Sequence, residues 1–229
     1  MSSPSTRQRL LDAAIALLAS DGPDALQARK LAAEIGASTM AVYTHFGGMP
    51  DLIEAMANEG FVRLSRRLTQ VPRTDDPIAD VIALGLAYRD HALDNPELYR
   101  VMFGVTAPGG HRLTSRDLTL EGTPTDRPER SAAFEQLVIA VVRVIEAGRF
   151  RAGDPVQIAA QLWSAIHGYV LLEVAGVFGA DDAGVTHVLL PLSVNFVVGA
   201  GDNLDAATRS AARAAETRGT PRESDQQSD

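Results

Sequence analysis

Apolar side chains in this 229-residue chain recur at spacings of three and four residues over most of its length. The first predicted helix already shows the pattern, at Leu11, Ala14, Ile15 and Leu18, and residues 134–145 repeat it most regularly. Such spacing places side chains on one face of an α-helix, whereas a half-buried strand needs strict alternation. Because no strong alternation is present, the sequence predicts an all-α fold, with three short helices before a larger helical body.

Glycine and proline mark where these helices end. The letters "SDG" at residues 20–22 predict the end of the first helix, and Gly36 predicts the end of the second. Pro50 suits the first turn of the helix that follows. We therefore expect a small domain over residues 1–49 and a helical body over residues 50–199.

Three segments after residue 100 differ from the rest of the chain in composition. Residues 104–128 are rich in glycine, proline, threonine and charge, which predicts a mobile loop. A helix predicted over residues 155–178 is apolar on more than one side, so it should be buried by two neighbours. Residues 200–229 are polar and alanine-rich, and we expect a largely disordered tail with a weak helix at 204–216.

The composition excludes several functional classes. Without cysteine the chain has neither disulfides nor thiolate metal sites, and its five histidines show no metal-ligand spacing, so we expect no metal and no cofactor. A signal peptide and a membrane helix of roughly 18–20 apolar residues are both missing, which favours a cytoplasmic location. The net charge is −8, yet residues 1–70 hold as many basic as acidic side chains. This part can place its few cations against a phosphate backbone.

The letters "GASTMAVYTHF" at residues 36–46 predict a short helix with a polar face. Two short helices joined by a tight turn, the second one polar outside, are typical of a helix-turn-helix unit. The major groove of B-DNA admits one helix whose outer face carries hydrogen-bonding or methyl-bearing side chains. Val42 and Phe46 are predicted to face inward. The outward side chains are then Thr39, Met40, Tyr43 and Thr44.

The stretch "RKLAAEIGASTMAVYTHF", followed by "DLIEAM", resembles the DNA-binding domain of the tetracycline-repressor (TetR) family. The resemblance covers residues 7–56. Its matching residues are Gly22, Arg29, Leu31, Ala32, Gly36, Ser38, Tyr43, His45, Phe46 and Leu52. The resemblance implies a homodimeric transcriptional repressor that leaves a pseudo-palindromic DNA operator when a small-molecule effector binds.

The resemblance also implies which side chains contact DNA. Tyr43 and His45 would contact phosphates, whereas Thr39, Met40 and Thr44 would lie against base edges. The full predicted set is Arg29, Lys30, Ser38, Thr39, Met40, Tyr43, Thr44 and His45. Two alternatives stay open: Tyr43 only covers the domain core, and His45 only ends its helix.

Two residues depart from the family pattern. Gln27 stands where the family usually has threonine, and Met49 stands where it usually has lysine. Both changes remove an expected contact to the DNA backbone. We therefore expect weaker nonspecific affinity and a salt dependence shallower by about one unit of slope per lost contact.

The helical body is expected to dimerise. The letters "WSAIHG" at residues 163–168 resemble a motif in the C-terminal domain of one subgroup of these regulators. The helices predicted at 155–178 and 184–198 would pair with their copies in a four-helix bundle. The alternative is that their apolar faces are intramolecular core. The predicted interface residues are Ile166, Tyr169, Val174, Val177, Val188, Leu192 and Phe196.

A small, largely apolar effector is expected inside the body, because helix bundles commonly enclose such sites. The candidate walls are Phe61, Tyr88, His91, Met102, Phe103, Phe134, Val138, Trp163 and His167. Of these, His91 and His167 are the polar anchors. The alternative for each residue is ordinary core, with a buried histidine bonded to a carbonyl. The effector would shift a two-state equilibrium through the helix that begins near Pro50.

Two other functional classes remain as alternatives. One is a helical adaptor or a non-catalytic ligand-binding protein, which would neither bind its own upstream DNA nor dimerise. The other is an enzyme. The sequence shows no recognisable pair of a catalytic nucleophile and its base. Serine and threonine are dispersed, and the paired acids at 75–76 and 181–182 fall in predicted loops.

Overall fold

The computed structural model of the protein describes residues 4–104, 117–125, 127–179 and 182–219. Within these ranges the secondary structure is entirely helical, which confirms the all-α prediction. The α-helices are α1 (Thr6–Asp21), α2 (Ala28–Glu34), α3 (Met40–Phe46), α4 (Met49–Thr69), α5 (Pro77–Asp94), α6 (Pro96–Met102), α7 (Leu118–Glu121), α8 (Pro128–Glu146), α9 (Pro155–Val174), α10 (Leu190–Ala200) and α11 (Leu204–Gly219). A 3-10 turn at Pro23–Ala25 and a π-helical turn at Val185–Leu189 complete the set.

The helices begin and end at the predicted signals. Gly22 ends α1 with φ 78° and Gly47 ends α3 with φ 81°, a left-handed region that favours glycine. Pro50 is the second residue of α4, as expected. Proline is also the first residue of α5, α6, α8 and α9, where its missing N–H leaves no helix bond unmade.

The chain divides into two compact units that do not follow chain order. Unit 1 comprises Met1–Leu64 with Ala92–Ser131, and unit 2 comprises Ser65–His91 with the chain from Ala132 onward. The boundaries between the units fall inside α4, α5 and α8. They differ from the expected division after residue 49, because a continuous helix carries no sequence signal where its packing partners change.

Unit 1 has an apolar core built on the first helices. The predicted stripe of α1 is its buried face, and α2, α3 and α4 contribute further buried side chains. The completely buried members include Leu10, Ala14, Leu18, Leu31, Val42, Leu52 and Met56. Burying one such leucine stabilises the fold by about 1.5–3 kcal/mol, so this core is sufficient to fix three short helices.

The C-terminal tail corrects one expectation. The helix expected at 204–216 is present as α11 and is packed rather than weak, and residues 220–229 lie outside the described ranges. The buried face of α11 carries only small side chains: Ala207, Ser210, Ala211 and Ala214. Small residues let helices approach closely, but they give little hydrophobic signal in a sequence. The composition therefore looked like that of a disordered tail.

Two other segments differ in detail from the sequence analysis. Most of the expected loop at 104–128 lies outside the described residues, but Leu118–Glu121 forms a short helix within it. The Asp117 carboxylate begins that helix by accepting the Thr119 N–H at 2.9 Å. The helix expected over 155–178 ends at Val174, and Gly176 follows with φ 84°.

Candidate nucleic-acid interface and ligand-binding residues

The short helix α3 presents one apolar and one polar face. Val42 and Phe46 are buried at 0% and 8% exposure, which confirms their inward orientation, while Met40 and Tyr43 are 64% and 53% exposed. The other exposed residues of the turn and helix are Ser38, Thr39, Thr44 and His45. Every side chain predicted to contact DNA from this segment is thus accessible, and the contacts themselves stay predictions.

The two cations at the start of α2 differ in their surroundings. Arg29 and Lys30 are both exposed. Lys30 Nζ lies 2.7 Å from the Asp21 carboxylate, and this hydrogen bond is the main cause of the lowered pKa of Asp21. Arg29 forms no ion pair with a described residue. In the free protein, Arg29 is therefore the more available of the two for a DNA contact.

The two departures from the family pattern have structural consequences. Gln27 precedes α2 but its side chain makes no capping bond to the helix; its amide donates to the Asp24 carbonyl at 3.4 Å. Met49 packs half-buried against the core of unit 1. A lysine there would bring a charge toward that core, so Met49 serves packing where the family usually has a cation.

Two arginines of α1 contact the helix-turn-helix, one at its turn and one at its end. Arg9 donates from Nη2 to the Ile35 carbonyl at 2.7 Å, just after α2. The Arg7 guanidinium carbon lies 4.7 Å from the centroid of the Phe46 ring, at the end of α3. Neither contact is predictable from the sequence, because the partners are distant in sequence: Arg9 and Ile35 are 26 residues apart.

Three of the predicted effector-contacting residues lie in unit 1. The rings of Phe61 and Phe103 meet edge to face, with centroids 5.4 Å apart. Met102 is completely buried and packs close to Gly60, where a Cβ atom would lie 2.6 Å from the Met102 sulfur. These contacts are those of a packed core, so a role in effector binding stays a prediction for all three.

The other predicted wall residues lie in unit 2, where four of them form one cluster. The Tyr88 oxygen is 2.8 Å from His167 Nδ1 and accepts the Trp163 N–H at 3.4 Å. The indole N–H can only donate, whereas the direction of the Tyr88–His167 bond depends on which ring nitrogen of His167 carries the proton. Phe134 packs against Trp163, with ring centroids 5.7 Å apart. The cluster combines an aromatic surface with two polar groups that can reorient.

Burial sets the protonation of this cluster. It lowers the pKa of His167 below its ordinary value of 6.5, because removal from water disfavours the charged ring. The neutral ring is therefore the form present at pH 7, and its Nδ1 forms a hydrogen bond with the Tyr88 hydroxyl. His91 is also buried, at 3% exposure, and Val138 is half-buried.

A buried ion pair lies one residue along α5 from that cluster. Arg89 binds Glu173 of α9 through two bonds of 2.7 Å, and Asp182 lies 3.2 Å from the same guanidinium. Burial acts to lower the pKa of Arg89, but the hydrogen bonds and charge of Glu173 outweigh it and raise the pKa. Burial and the Glu173 charge raise the pKa of Tyr169 to about 12, so it stays a neutral donor to that carboxylate.

A second polar network ties α11 to the beginning of α5. The Ser210 hydroxyl lies 2.8 and 2.9 Å from the two oxygens of Asp76, whose carboxylate also accepts the Ala79 N–H in the first turn of α5. Arg149 binds Asp202 through two bonds of 2.7 and 2.6 Å and reaches Asp76 at 3.4 Å. Burial acts to raise the pKa of Asp76, but these partners outweigh it and lower the pKa.

Unit 2 also contains an open cleft of about 590 Å³. Its lining combines apolar and polar side chains, and two of the polar ones, Arg143 and Asp80, form an ion pair at 2.6 Å. The lining residues include Leu68, Val71, Arg73, Leu84 and Ile139. No residue of the predicted effector site lines this cleft.

The helices predicted to dimerise carry an exposed surface without charge. Residues 155–172 and 185–200 include no aspartate, glutamate, lysine or arginine. Leu172, Val177 and Val188 are 50%, 60% and 37% exposed. The remaining exposed positions of α9 include Gln161, Ser164 and Gly168.

The predicted interface residues divide between this surface and the interior. Val177 and Val188 are exposed, while Ile166, Val174, Leu192 and Phe196 are half-buried. Tyr169 is a correction: it is 3% exposed, and its ring stacks on Phe178 with centroids 4.9 Å apart. Tyr169 and the neighbouring Val170 therefore belong to the interior of unit 2.

The ranges that the structure describes contain neither a metal site nor a membrane-spanning helix. No cluster of three or more histidine, aspartate or glutamate residues there could hold a metal ion. None of the described helices combines the length and the apolar character needed to cross a membrane.

Profiles of two protein families match the chain. The one described as bacterial regulatory proteins, tetR family, matches residues 10–56. The one described as tetracyclin repressor-like, C-terminal domain, matches residues 81–189. The first match contains α2 and α3 with the exposed polar face, and the second contains the Tyr88–His167 cluster and the Arg89–Glu173 pair.

Individual proteins agree with these profiles. The class A tetracycline repressor protein from transposon 1721 of Escherichia coli is 30% identical over 184 residues, which are 80% of this chain and 74% of that protein. A solved structure of a protein of unknown function from Rhodococcus sp. RHA1 has a TM-score of 0.68 and 30% identity, and the match covers 87% of this chain and 97% of that one.

A further solved structure contains a bound small molecule. It is described as RolR in complex with the ligand resorcinol, with a TM-score of 0.64 and 18% identity over 91% of this chain and 93% of that one. At this identity the likeness shows the shared fold alone.

Proposed function

Because this chain belongs to the TetR family of DNA-binding transcriptional regulators, we propose that it is a homodimeric repressor whose operator complex is released by a small effector. The observation that carries the proposal is the division of α3 into a buried and an exposed face. A helix fixed by Val42 and Phe46 presents Met40 and Tyr43 outward, which suits insertion into a major groove.

Dimer formation is supported by the uncharged surface of α9 and of residues 185–200. Exposed apolar side chains such as Leu172 and Val188 in stretches without charge are costly to keep in water and are typical of an interface. Ser164 and Gly168 on that face permit close helix approach. Two copies of α3 spaced about 34–36 Å apart would then read the two halves of a pseudo-palindrome.

The effector is proposed to be small and mostly apolar, with a hydroxyl or similar polar group. The Tyr88–Trp163–His167 cluster offers aromatic surface beside groups that both donate and accept hydrogen bonds. The phenolic ligand in the RolR complex is compatible with such a site. Binding must favour the DNA-incompetent state to act as a switch, with a coupling of typically about 1–3 kcal/mol.

Operator binding and dimer formation are tested together by one substitution. Leu172→Asp places a charge on the uncharged face of α9 and is expected to give a monomer by sedimentation and to abolish binding to an operator selected from a randomised duplex pool. The matched control is Leu204→Asp, since Leu204 is 57% exposed but lies on α11. A dimeric Leu172→Asp protein that still binds DNA would overturn the proposed interface.

Effector release is tested separately with phenols as probes. Resorcinol and phenol would be titrated into the complex with the selected operator, and loss of fluorescence anisotropy would report release. Tyr88→Phe is expected to weaken the response while leaving operator affinity unchanged. If no phenol changes anisotropy or the fluorescence of Trp163, the proposed ligand class is wrong.

A further inference from the structure

The first turn of α1 places a cation beside the end of α3. Arg7 is exposed, and its guanidinium lies over the ring of Phe46. Its backbone is fixed in a capped helix, because the Ser5 hydroxyl accepts the Gln8 N–H at 3.2 Å. No acidic side chain in the described ranges forms an ion pair with Arg7.

Stacking leaves the hydrogen-bond donors of Arg7 available. A guanidinium that lies over an aromatic ring uses its flat face, whereas its N–H groups point outward in its own plane. That planar fork matches the oxygens of a phosphate. Phe46 therefore orients a phosphate-binding group and reduces the rotational freedom that it would lose on binding.

The location of this group coincides with the candidate DNA interface. Phe46 is the last residue of α3, one position after His45 and three after Tyr43, and both are exposed. Arg9 also holds α1 against the turn between α2 and α3, through its 2.7 Å bond to the Ile35 carbonyl. The guanidinium of Arg7 is thus kept at the edge of the surface that α3 presents.

We propose that Arg7 binds a phosphate of the DNA backbone beside the recognition helix α3. The inference rests on the proposed operator binding and extends it to a helix outside the predicted contact set. Arg7 supplies a backbone contact in a unit where Gln27 and Met49 lack the two that the family pattern provides. As a phosphate contact, it adds affinity that is independent of DNA sequence.

The test is the salt dependence of operator binding by Arg7→Gln, measured by anisotropy with the duplex selected by the wild-type protein. One lost phosphate contact lowers the slope of log affinity against log salt by about 0.9. Between 50 and 200 mM salt, the affinity of Arg7→Gln should then fall about 3.5-fold less than that of the wild type. Arg7→Lys should keep the slope, because it keeps the charge.

The matched control is Arg66→Gln, which removes an exposed arginine from the last turn of α4. It is expected to keep the wild-type slope. If Arg7→Gln also keeps that slope, Arg7 only covers Phe46 and the inference is wrong, even if the thermal unfolding temperature falls. If the wild-type protein binds no duplex, the proposed operator binding itself fails.

Discussion

The two compact units place their polar side chains in opposite ways. In unit 1 the buried core is apolar and the polar residues of α3 face outward. In unit 2 ionic side chains lie inside: Asp76, Asp80, Arg89 and Glu173 are all buried, and none of the buried aspartate, glutamate or arginine residues of the described chain belongs to unit 1. A surface that binds DNA needs exposed hydrogen-bond donors, whereas an ionic group buried in a helical body needs its partners inside the fold.

The largest expected effect comes from breaking the buried pair of unit 2. Glu173→Ala leaves the Arg89 guanidinium buried without its main partner, and it should lower the free energy of unfolding by about 3–5 kcal/mol. Urea denaturation at one protein concentration measures the loss. The double variant Arg89→Met, Glu173→Leu removes both charges and should recover most of it. If Glu173→Ala and the double variant have the same free energy of unfolding, the loss does not come from an unpaired buried charge on Arg89.

The network between α11 and α5 should have a smaller effect. Ser210→Ala removes the hydroxyl that contacts both oxygens of Asp76 in a buried site. We expect a loss of about 1.5–3 kcal/mol, as for a hydrogen bond to a charged group. Thr208→Ala is the control, because that exposed hydroxyl bonds only to its own helix at the Leu204 carbonyl. Urea denaturation of both variants measures the loss. If Ser210→Ala and Thr208→Ala unfold at the same urea concentration, the bond between Ser210 and Asp76 does not stabilise the packing of α11.

In unit 1 the same kind of change should affect binding rather than stability. Tyr43→Phe removes one exposed hydroxyl and is expected to weaken operator binding by about 1.5 kcal/mol, roughly tenfold. Its urea midpoint should equal that of the wild type, since the side chain is 53% exposed. The salt slope should also stay constant, because the phenol is uncharged. A lowered midpoint with unchanged affinity would instead support the core-covering role of Tyr43.

The smallest expected effect is a pH dependence in unit 2. The pKa of His167 is lower in the folded chain than its ordinary value of 6.5, so the unfolded chain binds more protons between the two values. This contribution to stability is present above pH 6.5 and is lost as the pH falls through the folded pKa. His167→Gln should flatten the stability profile in that window, while Tyr88→Phe should keep its shape. Identical profiles for His167→Gln and the wild type would contradict the assignment.

The features that could be predicted from the sequence are those that depend on residues close together along the chain. The stripe of α1, its end at Gly22, and the inward orientation of Val42 and Phe46 all depend on residues within one or two helical turns. For α11 the sequence predicted only a weak helix in a largely disordered tail, because alanine and serine pack well but give little hydrophobic signal. The prediction failed for Tyr169, whose position on an apolar helix does not tell which of two neighbours covers it.

The sequence by itself determined the helical elements, their ends and the residues that α3 exposes, because helical periodicity relates each residue to those three and four positions away. Only the tertiary structure decided that Arg89 meets Glu173 across 84 positions, that Ser210 meets Asp76 across 134, and that Arg7 lies on Phe46. Those pairings depend on where helices cross. The crossing is set by the packing of whole faces, which no local pattern encodes.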